Sequence, residues 1–432
     1  MRGRFVFRGG RDGSMEKAPL IISNSKAHRF VWQSVILCVL YVLFLLQDSL
    51  AGYFGLSIFA QYDEIMAVLG CCLVFVSWAK KRFRLTYPGL LVKSVGIYLL
   101  MIVIGSVSNV STGYQDITYI LLDILTCSKL YIGLICAITI FPSGMLEKTK
   151  RALAKITALF IIVYFVLAIH DFFLTPLLGV LYDGGLKCIQ LAYSNVTYLA
   201  GYGTILLAVL VLTKEYQKHF FLLAIFISIT ICLTFRSKAM GFVCFAWILY
   251  LALRKGNERI SNNKLFIVVP FALMGTLFIA WDKIVLYYFE PSQYSPRNIL
   301  FNIAVELATK HFPLGTGFGT FCSVASISNI SPIYGHYGYN YFSAVYDMFW
   351  GCLIGQFGFV GTVLFIMSIV CMAVSIWKIQ NKSKNAFFCG VFLLLYLCIA
   401  SLGECSFFSP YSIGYGFIIG LAIQEGRAWK RF

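Results

Sequence analysis

Apolar runs of about 17–25 residues, the length that spans a bilayer as a helix, recur along the whole chain. They fall at Phe30–Leu50, Tyr62–Trp78, Gly89–Val107, Ile117–Phe141, Ala152–Leu174 and Ser194–Leu212. They continue at Phe220–Phe235, Ala239–Leu253, Leu265–Trp281, Phe349–Trp377, Ala386–Leu402 and Tyr411–Gln424. The pattern predicts twelve spans in an all-α, polytopic membrane helix bundle. The seventh and eighth runs are short and are separated by Arg236, Ser237 and Lys238. As a re-entrant pair they would leave the orientation of the rest unchanged. The segmentation is a basic tail at 1–29, helices one to nine at 30–281, a long external loop at 282–348, helices ten to twelve at 349–424 and a tail at 425–432.

Composition agrees with that class. Of 432 residues 59% are apolar and 12% charged, against roughly 25% charged in soluble chains. Mean hydropathy is +0.82. A soluble fold cannot hide so much apolar surface, and disordered or fibrous proteins need polar or repetitive composition.

The net charge of +17 would suggest nucleic acid on a soluble protein. Here the positions of the cations change the reading. Most of the 35 Lys and Arg fall in alternate connections: the tail before Phe30, Lys80–Lys93, Lys148–Lys155, Lys214–Lys218, Arg254–Lys264, Lys378–Lys384 and Arg427–Arg431. By the positive-inside rule these connections and both termini are cytoplasmic. Lys129 lies inside a span. Six cations remain opposite, namely Lys187, Arg236, Lys238, Lys283, Arg297 and Lys310, and orientation does not account for them. No nucleic-acid partner is expected.

The first run lacks a small-residue cleavage pattern and reads as a signal anchor. The Arg- and Gly-rich stretch before Met15 reads as a disordered tail, or as an extension ahead of a start at Met15. Most of the 14 cysteines fall within spans, as small apolar residues. No Cys-x-x-Cys pair or Cys/His cluster suggests a metal. Cys188 and Cys322 lie in external loops, where a disulfide between them is one option.

The long polar stretch between Trp281 and Phe349 is of the length that usually carries function. Ser295-Pro296 reads as a helix start, Ser as N-cap and Pro at the first position, for a helix over about 296–310. Leu300, Ile303, Ala304 and Leu307 form its apolar face; Asn298, Asn302, Glu306 and Lys310 form a polar one. Such a helix can lie on the membrane or cap the bundle. Arg297 sits in its first turn, where free N–H groups and a guanidinium can clamp a phosphate. A headgroup contact or a surface ion pair is the alternative. Next come His311-Phe312-Pro313-Leu314-Gly315-Thr316-Gly317-Phe318-Gly319-Thr320-Phe321, whose glycines allow tight turns, then the Tyr-rich Tyr334–Tyr341 with His336, Tyr339 and Asn340. Aromatic loops suit sugar rings, as they equally suit an interfacial aromatic belt.

The order Phe235-Arg236-Ser237-Lys238-Ala239, Arg297, the 311–321 stretch, a His/Asn loop and the Gly pattern of Gln356–Gly361 resembles the O-antigen polymerase and ligase superfamily of bacterial surface-polysaccharide assembly. The resemblance covers roughly 233–361. It departs from the ligase pattern, which has His directly followed by Asn, because His336 and Asn340 stand four apart. The resemblance implies a glycosyltransferase without metal or cofactor, outside the bacterial cytoplasmic membrane. It would polymerise undecaprenyl-pyrophosphate-linked glycan repeat units, with membrane lipid and a chain-length regulator as partners. A ligase, or more remotely a flippase, is the alternative.

In that chemistry the pyrophosphate leaving group needs cations. Arg236 and Arg297 are the first candidates, Lys238 assists, and His311, Gly315, Gly317, Gly319, Tyr339 and Asn340 line the substrate. The acceptor hydroxyl needs a general base: His336 first, then Glu306 and Asp347, with His311 more suited to orienting a phosphate. Lys310 is expected to pair with Glu306. Asp123 and Lys129 within the fourth span are either functional, as intramembrane charges generally are, or an internal pair that stabilises the bundle, and His170, Asp171 and Glu404 are further polar residues at membrane depth. The external stretch Tyr182–Asn195 is a second candidate wall of the site.

Overall fold

The computed structural model describes residues 24–80, 88–141, 145, 147–254, 274, 275, 281, 285, 296–338 and 348–428. Helices dominate: α1 (Asn24–Gly52), α2 (Tyr62–Lys80), α3 (Gly89–Thr112), α4 (Ile117–Ile140), α5 (Glu147–Phe173), α6 (Val196–Leu212), α7 (Phe220–Cys232) and α8 (Ser237–Arg254). They continue with α9 (Pro296–Lys310), the short α10 (Val324–Ser328) and α11 (Pro332–His336), then α12 (Phe349–Trp377), α13 (Lys384–Ala400) and α14 (Ser412–Ala428). A small antiparallel hairpin, β1 (Val180–Asp183) and β2 (Leu186–Ile189), pairs Val180 with Ile189.

Among the described residues, six helices are long and apolar enough to cross a membrane: Ser34–Gly52, Ser57–Lys80, Gly89–Thr112, Ile117–Ile140, Glu147–Phe173 and Phe349–Trp377. The burial pattern explains why. On α3 the buried positions are Leu91, Ser94, Tyr98, Met101, Gly105 and Ser108, while Val92, Leu99, Val103 and Val107 face outward. Its small and polar residues Ser94, Gly105 and Ser108 share the inward face with Leu91, Tyr98 and Met101, while the outward face is bulky and aliphatic, unlike the polar outer face of a soluble helix. In contrast, α6 is apolar all round and buried along its whole length, so it forms the centre of the bundle. α7 has 13 residues, roughly 20 Å at 1.5 Å per residue. It is too short to cross alone and packs on α5 and α6.

Glycines set the closest helix approaches. A Cβ on Gly416 of α14 would stand 1.8 Å from the Leu130 carbonyl oxygen of α4, and one on Gly133 would stand 2.1 Å from Ile413 O. Where lipid gives no hydrophobic drive between helices, such backbone contact supplies the packing energy. Polar groups add to it: Ser94 and Ser368 exchange hydrogen bonds to each other's carbonyls at 2.8 and 2.7 Å, and Tyr131 OH meets Ser368 Oγ at 2.6 Å.

The contacts place one set of helix ends together. Asp48 of α1 accepts from Ser194 just before α6, Thr112 at the end of α3 reaches Thr316, and Phe349 at the start of α12 packs on Phe407 and Phe408 after α13. The opposite end carries the Lys150–Glu425 pair between α5 and α14.

Several expectations are corrected. Lys129 does not pair with Asp123. It binds Asp63 and Glu64 of α2, because residues 123 and 129, six apart, lie on different faces of α4. Cys188 and Cys322 are both free thiols: Cys188 is buried in β2 and Cys322 beneath the loop that follows α9. Burial pushes the Cys322 thiol up and keeps it neutral. Asp171 is fully buried and accepts the Leu177 and Leu178 N–H groups at 2.9 and 3.0 Å, closing the turn after α5. The predicted span Leu265–Trp281 lies almost wholly outside the described residues, as do the basic tail before Asn24 and Lys283.

Candidate functional site

The helix predicted after Ser295 is α9, Pro296–Lys310. Its Leu300, Ile303, Ala304 and Leu307 are buried and the helix packs along α12, so it caps the bundle. Arg297 is half-buried in its first turn. On the outward face Lys310 pairs with Glu306 at 2.6 Å and also reaches Tyr337 OH at 3.3 Å. Hydrogen bonds from Lys310, then from Tyr337, hold the Glu306 carboxyl below its usual value. The depressed value means this tie is fully present above the ordinary carboxylate range and is lost only as pH falls through the lowered value beneath it. A carboxylate so occupied is a poor proton acceptor. His336, exposed at the end of α11, stands against Tyr337. His311 meets Tyr114 edge-on with ring centres 5.9 Å apart. Tyr339, Asn340 and Asp347 lie outside the described residues.

The Gly-rich stretch is a plug inserted between α3, α4 and α12. Residues 315–323 are buried. Thr316 N–H donates to Gly355 O at 3.0 Å and Gly317 N–H to Gln356 O at 2.8 Å. The Asn109 amide brackets Phe318, accepting its N–H at 2.7 Å and donating to its carbonyl at 2.9 Å. Gly319 N–H donates to Asp123 at 2.7 Å, and Gln115 donates to Gly319 O at 2.7 Å. The N–H groups of Thr316 through Gly319 are therefore consumed inside the protein. Gly317 and Gly319 serve close passage of the chain, at φ of 97° and 70°, rather than offering open amides to a phosphate. Helix α12 makes room by breaking at Gly358 (φ 63°, ψ −171°). A Cβ on Gly315 would lie 2.4 Å from the Gln356 backbone, and one on Gly358 would lie 2.6 Å from that of Leu314.

Asp123 is the anchor of this plug. It is 2% exposed, accepts Gly319 N–H, and has Ser323 and Gln356 within hydrogen-bonding reach. Asp123→Ala leaves the Gly319 N–H without its partner, a loss of about 1–3 kcal/mol. Faster amide exchange confined to 315–323 is the expected result, measured by mass spectrometry.

Arg236 and Lys238 occupy the α7–α8 turn at the same end of the bundle. Phe235 adopts a left-handed conformation, φ 49°, and stacks on Phe172. Arg236 Nη1 donates to Asp183 at the hairpin tip at 2.9 Å, while its Nε is enclosed and makes no hydrogen bond. Lys238 pairs with Glu404 at 2.5 Å, and Tyr411 OH donates to the same carboxylate at 3.0 Å. Lys187 donates to Phe172 O and Leu174 O at 3.0 Å each and so caps α5. An apolar groove of about 320 Å³ runs between α7 and α8, lined by Ile225, Ile229, Leu233, Phe235, Met240 and Trp247 among others, so it reaches the residue before Arg236. No known family model and no curated protein matches the chain.

Sequence reasoning missed Asp183, Asn109 and Gln115 as partners. The signal for Asn109 is the polar run Ser106–Thr112 at the end of an otherwise apolar helix. Its loop partner, some 200 residues further on, has no trace in local pattern.

Proposed function

We propose that this chain is a bacterial inner-membrane glycosyltransferase that polymerises undecaprenyl-pyrophosphate-linked oligosaccharide repeat units. It has ten spans with α7 and α8 as a re-entrant pair, or twelve if both cross, with both termini cytoplasmic in either case, and it works on the outer side. The observation that carries the reading is Arg236 in the α7–α8 turn, directly after Phe235 of the apolar groove. The pairing suits an amphiphile whose anionic head meets a guanidinium while its hydrocarbon chain lies against the α7–α8 face. The exposed Asp183 holds Arg236 by a surface-type ion pair, which is weak and readily exchanged for a phosphate. Arg297 adds a second guanidinium on the same side, where the positive-inside rule otherwise excludes cations, while Lys238 is balanced by Glu404.

In this reading the acceptor sugar hydroxyl attacks the anomeric carbon of the donor glycan and the carbon–oxygen bond to the pyrophosphate breaks. The arginines stabilise the charge that develops on the pyrophosphate. His336, exposed at the end of α11, takes the hydroxyl proton as general base. Arg297 acts from the first turn of α9, and the plug 313–323 fixes that helix relative to α12.

Deletion of the gene tests this. Lipid-linked single repeat units should accumulate outside the membrane and polymer should be absent. Polymer that still forms but stays on its lipid carrier would instead show a ligase, and full-length, fully transferred polymer would overturn both. Filling the groove is a second test. Ile229→Trp should reduce polymer yield about tenfold or more by excluding the hydrocarbon chain, a loss of about 1–3 kcal/mol for an ill-fitting apolar group.

A further inference from the structure

Two carboxylates and one ammonium meet inside the bundle where α2 packs on α4. Lys129 Nζ donates to Asp63 and, at 2.5 Å, to Glu64 Oε1. Lys129 is 2% exposed and Asp63 1%, while Glu64 keeps 26%. Both helices are among those long enough to cross a membrane.

Fully ionised, the three side chains carry a net charge of −1. A low-dielectric interior strongly disfavours an uncompensated charge, and the group neutralises instead. Two carboxylates within reach of one ammonium and of each other cannot both ionise at no cost. Glu64 Oε2 is enclosed and without a hydrogen bond, while the rest of that side chain keeps partial access to the outside. Asp63 and Glu64 stand in the first turn of α2. The helix terminus offers them about half a positive charge, short of the full unit required. The other titratable groups near the triad are Tyr202 of α6 and Cys127 of α4. From α1, Asp48 acts on the same Tyr202 as Asp63, so the charge that α1 brings to this region is negative and does not offset the excess.

We propose that Asp63, Glu64 and Lys129 form an intramembrane proton-binding site, in which the two carboxyls share a single proton that exchanges through Glu64. With the proton bound the triad is neutral and α2 docks on α4. Without it the interface carries a charge that nothing on the neighbouring helices balances. The site is separate from the Arg236 and Arg297 region, and its test does not depend on glycan chemistry.

The test is infrared spectroscopy of the purified protein in lipid at neutral pH, reading the protonated-carboxyl stretch and its shift in deuterated water. Asp63→Asn and Glu64→Gln keep side-chain shape and each leave one carboxylate facing one ammonium. Each should therefore lose one carboxyl's intensity relative to the wild type. Lys129→Gln should gain one, because both acids then take up protons. Gel filtration checks that each variant is folded, and a misfolded one is replaced by the other members of the set. Band intensity equal to the wild type in either acid variant overturns the proposal. So does a wild type with no difference from both, which would mean that a bound alkali cation, not a proton, balances the charge.

Discussion

Arg236→Ala and Arg297→Ala each leave the protein inserted at normal level and stop the glycan at a single repeat unit. The effect is large because the proposed reaction has no metal to stabilise its leaving group. Removing one preorganised donor from a developing anion typically costs a factor of about 10²–10³ in rate. Polymer should fall by that factor in each variant. Lys in either position should restore only part, since an ammonium supplies charge without the two-pronged geometry. The control is Asp183→Ala. The Arg236–Asp183 pair is 28% and 58% exposed, a class of ion pair that contributes about 0–1 kcal/mol, so this variant should stay folded and active. Loss of polymer in Asp183→Ala with full activity in Arg236→Ala would invert the assignment. Quantitative gel analysis of lipid-linked glycan, normalised to protein in the membrane, measures all of these.

Gly416→Val should abolish accumulation of the folded protein, and Gly416→Ala should lower its melting temperature by several degrees. In an exposed helix, Gly to Ala is stabilising by about 1 kcal/mol. At Gly416 the added carbon would sit 1.8 Å from the Leu130 carbonyl, against backbone that has no rotamer by which to yield. Overpacking of a tight interface costs about 1–3 kcal/mol for a small misfit and more for a larger one. The packing term therefore wins, and the sign reverses. The same reasoning applies where α12 breaks. Gly358 holds a backbone conformation open to glycine alone, so Gly358→Ala should release the plug as well as strain the helix. Thermal unfolding monitored in detergent separates these variants from the arginine variants, which should melt like the wild type.

The all-α class was legible because lipid calls for apolar runs of a set length, and six of the predicted runs recur as helices long and apolar enough to cross a membrane. The α9 limits were legible too, since Ser295-Pro296 and the following Pro313 punctuate the helix locally. Three things were not. Lys129 sits six residues from Asp123, near enough in sequence to suggest a pair. The rotation of α4 sends one toward α2 and the other toward the loop, which no single-helix pattern records. The 315–319 glycines read as a cradle for a ligand, yet the same freedom of backbone equally allows burial against Gln356 and Asn109, and the neighbouring helices decide. The short, doubly apolar α6 and α7 differ in role only through their neighbours: one is enclosed on all sides, the other borders a groove.

The most direct test is reconstitution. Purified protein in liposomes, supplied with undecaprenyl-pyrophosphate-linked repeat units and a metal chelator, should produce a ladder of lengthening glycans and release one undecaprenyl pyrophosphate per bond formed. Both should be lost in Arg236→Ala. Substrate that is neither elongated nor released, but moved across the bilayer by the protein, would contradict the account and show a transporter.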